Sequence, residues 1–70
     1  MKTIVRRFGS EDGSRRFKLF DHGNGFYSFE ESREEVEELG GGPNHFDKIL
    51  FESGLYDSLE AAEQDARSRA

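Results

Sequence analysis

The apolar capacity of this chain sits in rings. Seven Phe and two Tyr are spread over seventy residues, of which only 33 % are hydrophobic and 36 % are charged. A domain this small buries about 60 % of the surface its unfolded chain exposes, and a single core of that size rarely contributes more than about 3–5 kcal/mol. Each aromatic side chain can bury about 150–250 Å², so the nine clustered rings point to a single folded domain over residues 1–70 rather than to a disordered chain. There is no cysteine, which removes disulfides, thiolate metal sites and thiol chemistry. Tight aromatic packing and self-association remain as sources of adequate stability.

Along the chain, Thr3 to Phe8 is a β-rich run ending at Gly9, and Ser10 to Ser14 reads as a loop. Arg15 to Asp21 is a second strand. His22-Gly23-Asn24-Gly25 is the strongest turn signal, since Asn-Gly supplies the two positive-φ positions of a type I′ hairpin. With Asn24-Gly25 as that turn, Phe20 faces Phe29, His22 faces Tyr27, and Lys18 faces Glu31. Phe20, Tyr27 and Phe29 then share one face, and a slip of one residue would reverse every assignment.

Residues 30–39 carry two conflicting signals. Ser32-Arg-Glu-Glu35 has capping-box spacing, Val36 and Leu39 lie three apart, and Gly40 stands where a helix-ending glycine belongs, which together favour a short helix. Mutual repulsion among Glu34, Glu35, Glu37 and Glu38 opposes it, and the alternative is continuation of the strand from Phe26. Gly40 to Asn44 reads as a flexible connection. Ile49-Leu50-Phe51 is the most hydrophobic tripeptide, predicted to lie in a central, well-buried strand. Asp57 or Ser58 caps a C-terminal helix from Leu59, whose inner stripe is Leu59, Ala62 and Ala66 and whose last turn holds Arg67 and Arg69. The stretch from Gly54 to Glu63 resembles the strand-to-helix endings of many small bacterial proteins.

The fold predicted from these elements is α+β: an antiparallel sheet of three to four strands with the C-terminal helix packed on one face. Its candidate core is Ile4, Phe20, Phe29, Ile49, Phe51, Leu55, Leu59, Ala62 and Ala66, with Val5, Phe17 and Leu19 open as to side. If Phe17, Leu19 and Leu50 lie on the face away from the helix, they form an apolar patch suited to a homodimer or a protein partner.

No reactive constellation stands out. His22 and His45 read as exposed loop histidines without metal-ligand spacing. The triple glycine lacks the Gly-Lys-Ser or Gly-Lys-Thr of a phosphate loop, and residues 21–32 lack the acids of a calcium loop. The chain is therefore expected to be non-enzymatic, with no catalytic residue, cofactor, metal or small-molecule substrate. No apolar run approaches the roughly 18 residues of a membrane span, and the N-terminus lacks an apolar signal core, so a cytoplasmic setting without membrane attachment is expected.

Charge is the non-generic feature. The net charge of −5 divides into +3 over residues 1–29, with six cations against three acids, and −8 over residues 30–70, with four against twelve. One reading is neutralisation within the fold. A second is a protein-interaction or regulatory module with an acidic surface for a basic partner. A third is weak nucleic-acid binding by the basic first hairpin, which the net charge disfavours. Arg6, Arg7, Arg15, Arg16 and Lys18, interleaved with Phe17 and Leu19, are the candidate interaction residues.

Overall fold

A computed structural model describes residues 1–70, the side chain of Leu39 excepted. Four strands, β1 (Thr3–Gly9), β2 (Arg16–Asp21), β3 (Tyr27–Leu39) and β4 (Gly42–Glu52), precede one helix, α1 (Leu59–Arg69). The strands form an antiparallel meander in the order β1-β2-β3-β4, and α1 packs on β2 and β3, giving the α+β fold expected.

The turn between β2 and β3 sets the faces of the sheet. His22 N–H donates to the Phe26 carbonyl at 3.0 Å, closing a loop of three residues. Gly23 and Gly25 take φ of 81° and 86°, and among the described residues none other than glycine has positive φ. A type I′ turn needs positive φ at Asn24 as well, so the two-residue turn expected there does not form. Asp21 Oδ1 accepts from Gly23 N–H at 2.8 Å and Asn24 Oδ1 from Phe26 N–H at 3.3 Å, so side-chain acceptors hold the wider loop. The register moves by one residue: Leu19 faces Phe29, Asp21 faces Tyr27, and Phe20 faces Ser28.

This slip sorts the side chains. Phe17, Leu19 and Phe29 lie under α1 and form the core with Ala62 and Ala66, flanked by Phe8, Tyr27, Tyr56 and Leu59. Phe20 is also buried but on the opposite face, where Lys2 Nζ sits 4.2 Å from its ring centroid. Phe17 and Leu19 are fully buried against the helix, so they form no patch on the open face.

Residues 30–39 are strand, not helix. Glu30, Glu31 and Ser32 pair with β2 on one side and β4 on the other, and two ladders outweigh a single capping-box signal. The acids that would repel on a helix now alternate between faces. Gly40 and Gly41 are a tight turn between the paired Leu39 and Gly42, and Pro43 and Asn44 belong to β4, so the glycines close a hairpin instead of a flexible connection.

β4 is an edge strand rather than the central one expected. Every one of its residues is exposed, with Ile49 at 50 % and Phe51 at 38 %. Leu50 is the extra residue of a bulge, placing Ile49 opposite Ser32 and Phe51 opposite Glu31. Ile4 and Leu55, expected in the core, are also exposed.

After β4 the chain stays beside β3. Tyr27 and Tyr56 exchange backbone hydrogen bonds of 2.8 and 2.7 Å, and Phe29 N–H reaches Ser53 Oγ at 2.8 Å. These contacts deliver the chain to Ser58, whose Oγ accepts from Ala61 N–H at 3.1 Å and caps the helix. The two alanines let α1 lie close on the rings beneath it.

The core reading predicts Leu19→Ala to destabilise by about 2–5 kcal/mol and Ala66→Leu to cost about 1–3 kcal/mol by overpacking. Val5→Ala, at an exposed position, is expected to fall within about 0.5 kcal/mol of the parent. Urea unfolding monitored by circular dichroism checks the order of the three.

Candidate functional site

The basic residues named from the sequence divide into two groups. Arg6 pairs with Glu63 of α1, Arg15 with Glu31 at 2.8 Å, and Arg16 with Glu34 and Asp47 at 2.9 and 3.3 Å. Each pair joins the basic first part of the chain to the acidic second part, so neutralisation within the fold engages three of the five cations. Arg7 and Lys18 face each other across β1 and β2 and have no ion pair among the described residues. Phe17 and Leu19 have no surface left for a contact.

The firmest of these clusters surrounds Glu31, which is 3 % exposed beneath the end of α1. Its two oxygens accept from Arg15 Nη1 at 2.8 Å and Arg69 Nε at 2.9 Å. Arg15 also donates to the Arg69 carbonyl at 2.8 Å, which satisfies a free acceptor of the last helical turn. Arg69 lies 3.9 Å from the Phe51 ring centroid and Arg67 4.3 Å from that of Phe8, so both C-terminal arginines cover aromatic edges of the sheet. Burial alone would raise the Glu31 pKa, but the hydrogen bonds from Arg15 and Arg69 outweigh it and hold the carboxyl below its ordinary value. The register expected from the sequence sets Glu31 opposite Lys18, whereas here it faces Phe17. Its partners come from 16 and 38 residues away in the chain, and no local signal marks them.

A shallow cleft of about 190 Å³ includes His22, Ser28, Glu30, Glu52 and Lys2. His22 Nε2 is 2.7 Å from Ser28 Oγ, the imidazole's one hydrogen bond among the described residues. A serine nucleophile of the triad type also needs an acid orienting the imidazole, and among the described residues no acid hydrogen-bonds the His22 ring. His45 lies on β4 and bonds Glu34 Oε1 through Nδ1 at 3.0 Å. Among the described residues no three His, Cys, Asp or Glu side chains are grouped to hold a metal ion.

The most distinctive surface was misplaced by the sequence. β2 pairs with β3 only as far as Ser32, so residues 33–48 continue as a two-stranded arm beyond the four-stranded sheet. One edge of the arm is β4. Phe46 on the arm is exposed to 42 %, Leu50 at the arm's base to 40 % beside Ile49 and Phe51, and the residues 33–38 opposite expose Val36 to 55 %. Single exposed apolar residues are ordinary, but a row along an unpaired edge is a template for another strand.

Replacing Glu31 by Gln is expected to destabilise the protein by about 2 kcal/mol at neutral pH through loss of the charged hydrogen bonds. Because the folded pKa is depressed, the carboxylate's contribution is complete above its ordinary value of 4.5 and is lost as pH falls through the lower folded value. Thermal melting from pH 7 to pH 3 should therefore show a shallower acid limb for Glu31→Gln than for the parent.

No known protein family, curated protein or solved structure matches the chain.

Proposed function

We propose that this chain is a small, non-enzymatic protein-interaction or regulatory module that works in the cytoplasm and offers the β4 edge of its arm to another polypeptide. The observation that carries the reading is an eleven-residue edge strand paired on one side, exposed throughout and holding Phe46, Ile49, Leu50 and Phe51. Addition of a strand to such an edge takes affinity from main-chain hydrogen bonds and specificity from alternate side chains. Natural edges are ordinarily blunted by charge, proline or a bulge. β4 has Pro43, Asp47, Lys48 and the bulge at Leu50, but these are interspersed with Phe46, Ile49 and Phe51 and leave them exposed.

The contrasting reading, nucleic-acid binding by the first hairpin, has less support. Phosphate contacts need free cations, and Arg6, Arg15 and Arg16 are engaged by acids of the same chain. Arg7 and Lys18 alone make a small positive surface beside Glu30, which faces Lys18.

Affinity capture from the native cell extract tests the reading, comparing the parent with Phe46→Glu and Ile49→Lys. Both positions are exposed, so circular dichroism should show the fold unchanged. Proteins held by the parent and lost from both variants are the expected result; retention that ignores both substitutions would overturn it. Immobilised single-stranded RNA or DNA at about 20 mM salt is expected to hold neither parent nor variants, and retention abolished by Arg7→Ala with Lys18→Ala would favour the contrasting reading.

A further inference from the structure

Resting on the interaction reading above, we propose that the strand received by the β4 edge is β4 of a second copy of this chain, the two arms pairing antiparallel about a two-fold axis at Phe46. Beyond Ser32 the arm is two strands with no covering layer, and an isolated two-stranded hairpin is marginal in water. Pairing with its own copy makes the arm four-stranded and joins the two sheets into one of eight strands, with both helices on the same face.

Symmetry and charge restrict the register. An isologous antiparallel pair of strands has its two-fold axis perpendicular to the sheet, and residues opposite each other share a face. Some residue of β4 must therefore face its own counterpart. The bulge at Leu50 breaks the alternation, which confines regular pairing to the segment from Gly42 to Ile49. Lys48 or Asp47 at the axis sets like charges opposite each other, which is destabilising. His45 at the axis faces another His45 and leaves Phe46 against Asn44 of the partner subunit.

Phe46 at the axis gives a complementary set. Ring meets ring at the centre, His45 faces the partner's Asp47 on both sides of the axis, Asn44 faces the partner's Lys48, and Pro43 faces the partner's Ile49. His45 and Asp47 share a face, each opposite a residue of β3 on that face, with Glu34 and Arg16 beside them. The contact thereby extends an alternating row of charges already present within one chain. Phe46 and Ile49, two of the side chains most at odds with an exposed strand, are both covered by this pairing.

Sedimentation equilibrium from about 10 µM to about 0.5 mM, a range that populates weak self-association, should give twice the monomer mass of 8.0 kDa at the upper end. Phe46→Glu places two like charges at the axis and should weaken the dimer by about tenfold or more. The chain has no cysteine, so the register can be read directly. Facing residues in an antiparallel pair bring their Cα atoms to about 4.5–5.5 Å, within disulfide reach. Phe46→Cys should oxidise rapidly to a covalent dimer, Asn44→Cys and Lys48→Cys should each do so slowly alone, and a mixture of those two should form the mixed disulfide. A mass of 8.0 kDa throughout, or Phe46→Cys cross-linking no faster than Lys48→Cys alone, would overturn self-pairing. If the parent is monomeric while Phe46→Glu still abolishes capture of another protein, the partner is a different chain and the interaction reading stands without this one. If capture is also insensitive to Phe46→Glu, both readings fall.

Discussion

The pairing of Leu19 with Phe29 is the constraint on which the rest of this small protein depends. It follows from a loop of three residues at Gly23, Asn24 and Gly25, and because side chains alternate along a strand, one residue in that loop decides the face of every side chain on β2. In the observed register Phe17, Leu19 and Phe29 stand together under α1. In the register one residue away, Phe20 and Lys18 would point at the helix and the buried ring cluster would be lost. Ala62 and Ala66 complete the arrangement from above, since a helix presenting alanine can approach a sheet whose own residues are large.

The same register creates the electrostatic frame. Glu31 belongs to the helix face because Phe17 does, and it meets Arg15 and Arg69 there rather than Lys18 on the open side. A carboxylate at 3 % exposure is tolerable only with such partners. The benefit to the fold is directional: Arg15 holds the final turn of α1 as well as the carboxylate, so the start of β2, the middle of β3 and the end of the helix are fastened at one point. The basic and acidic parts of the chain thus attract each other inside the monomer, and the division of charge along the sequence is largely a statement about folding.

Much of the architecture was legible in the residues. The β-rich runs of β1 and β2, the polar loop at Ser10 to Ser14 and the Leu59, Ala62 and Ala66 stripe follow from local chemistry, and the structure has them where expected; of the two cap candidates, Asp57 and Ser58, it uses Ser58. What escaped is decided by groups distant in sequence. Ser32 to Glu35 has the spacing of a helix start, but strands on both sides recruit Ser32 as β structure. Asn24-Gly25 has the composition of a two-residue turn, but Asp21 supplies a competing acceptor for Gly23 N–H. Of the candidate interaction residues, Arg7 and Lys18 alone remain both exposed and unpaired among the described residues; for Lys18 this exposure is partial.

The hydrophobicity of Ile49-Leu50-Phe51 is instructive for a different reason. Composition treats such a tripeptide as interior, and the reasoning is sound for a sheet with strands to spare. Here the meander ends at β4, and the remaining chain covers only the lower part of that strand, where Arg69 lies over Phe51 and Ser53 continues along β3. The upper part has neither helix nor neighbour. Ile49 at the base of the arm and Phe46 above it are apolar side chains that the chain's own residues leave exposed, a conflict between local sequence and monomer fold. The thirteen-residue β3 sharpens the point: had pairing with β2 been its only role, it would end near Ser32. Its extension serves to hold β4 out beyond the body of the domain, with backbone and apolar side chains open along the same edge.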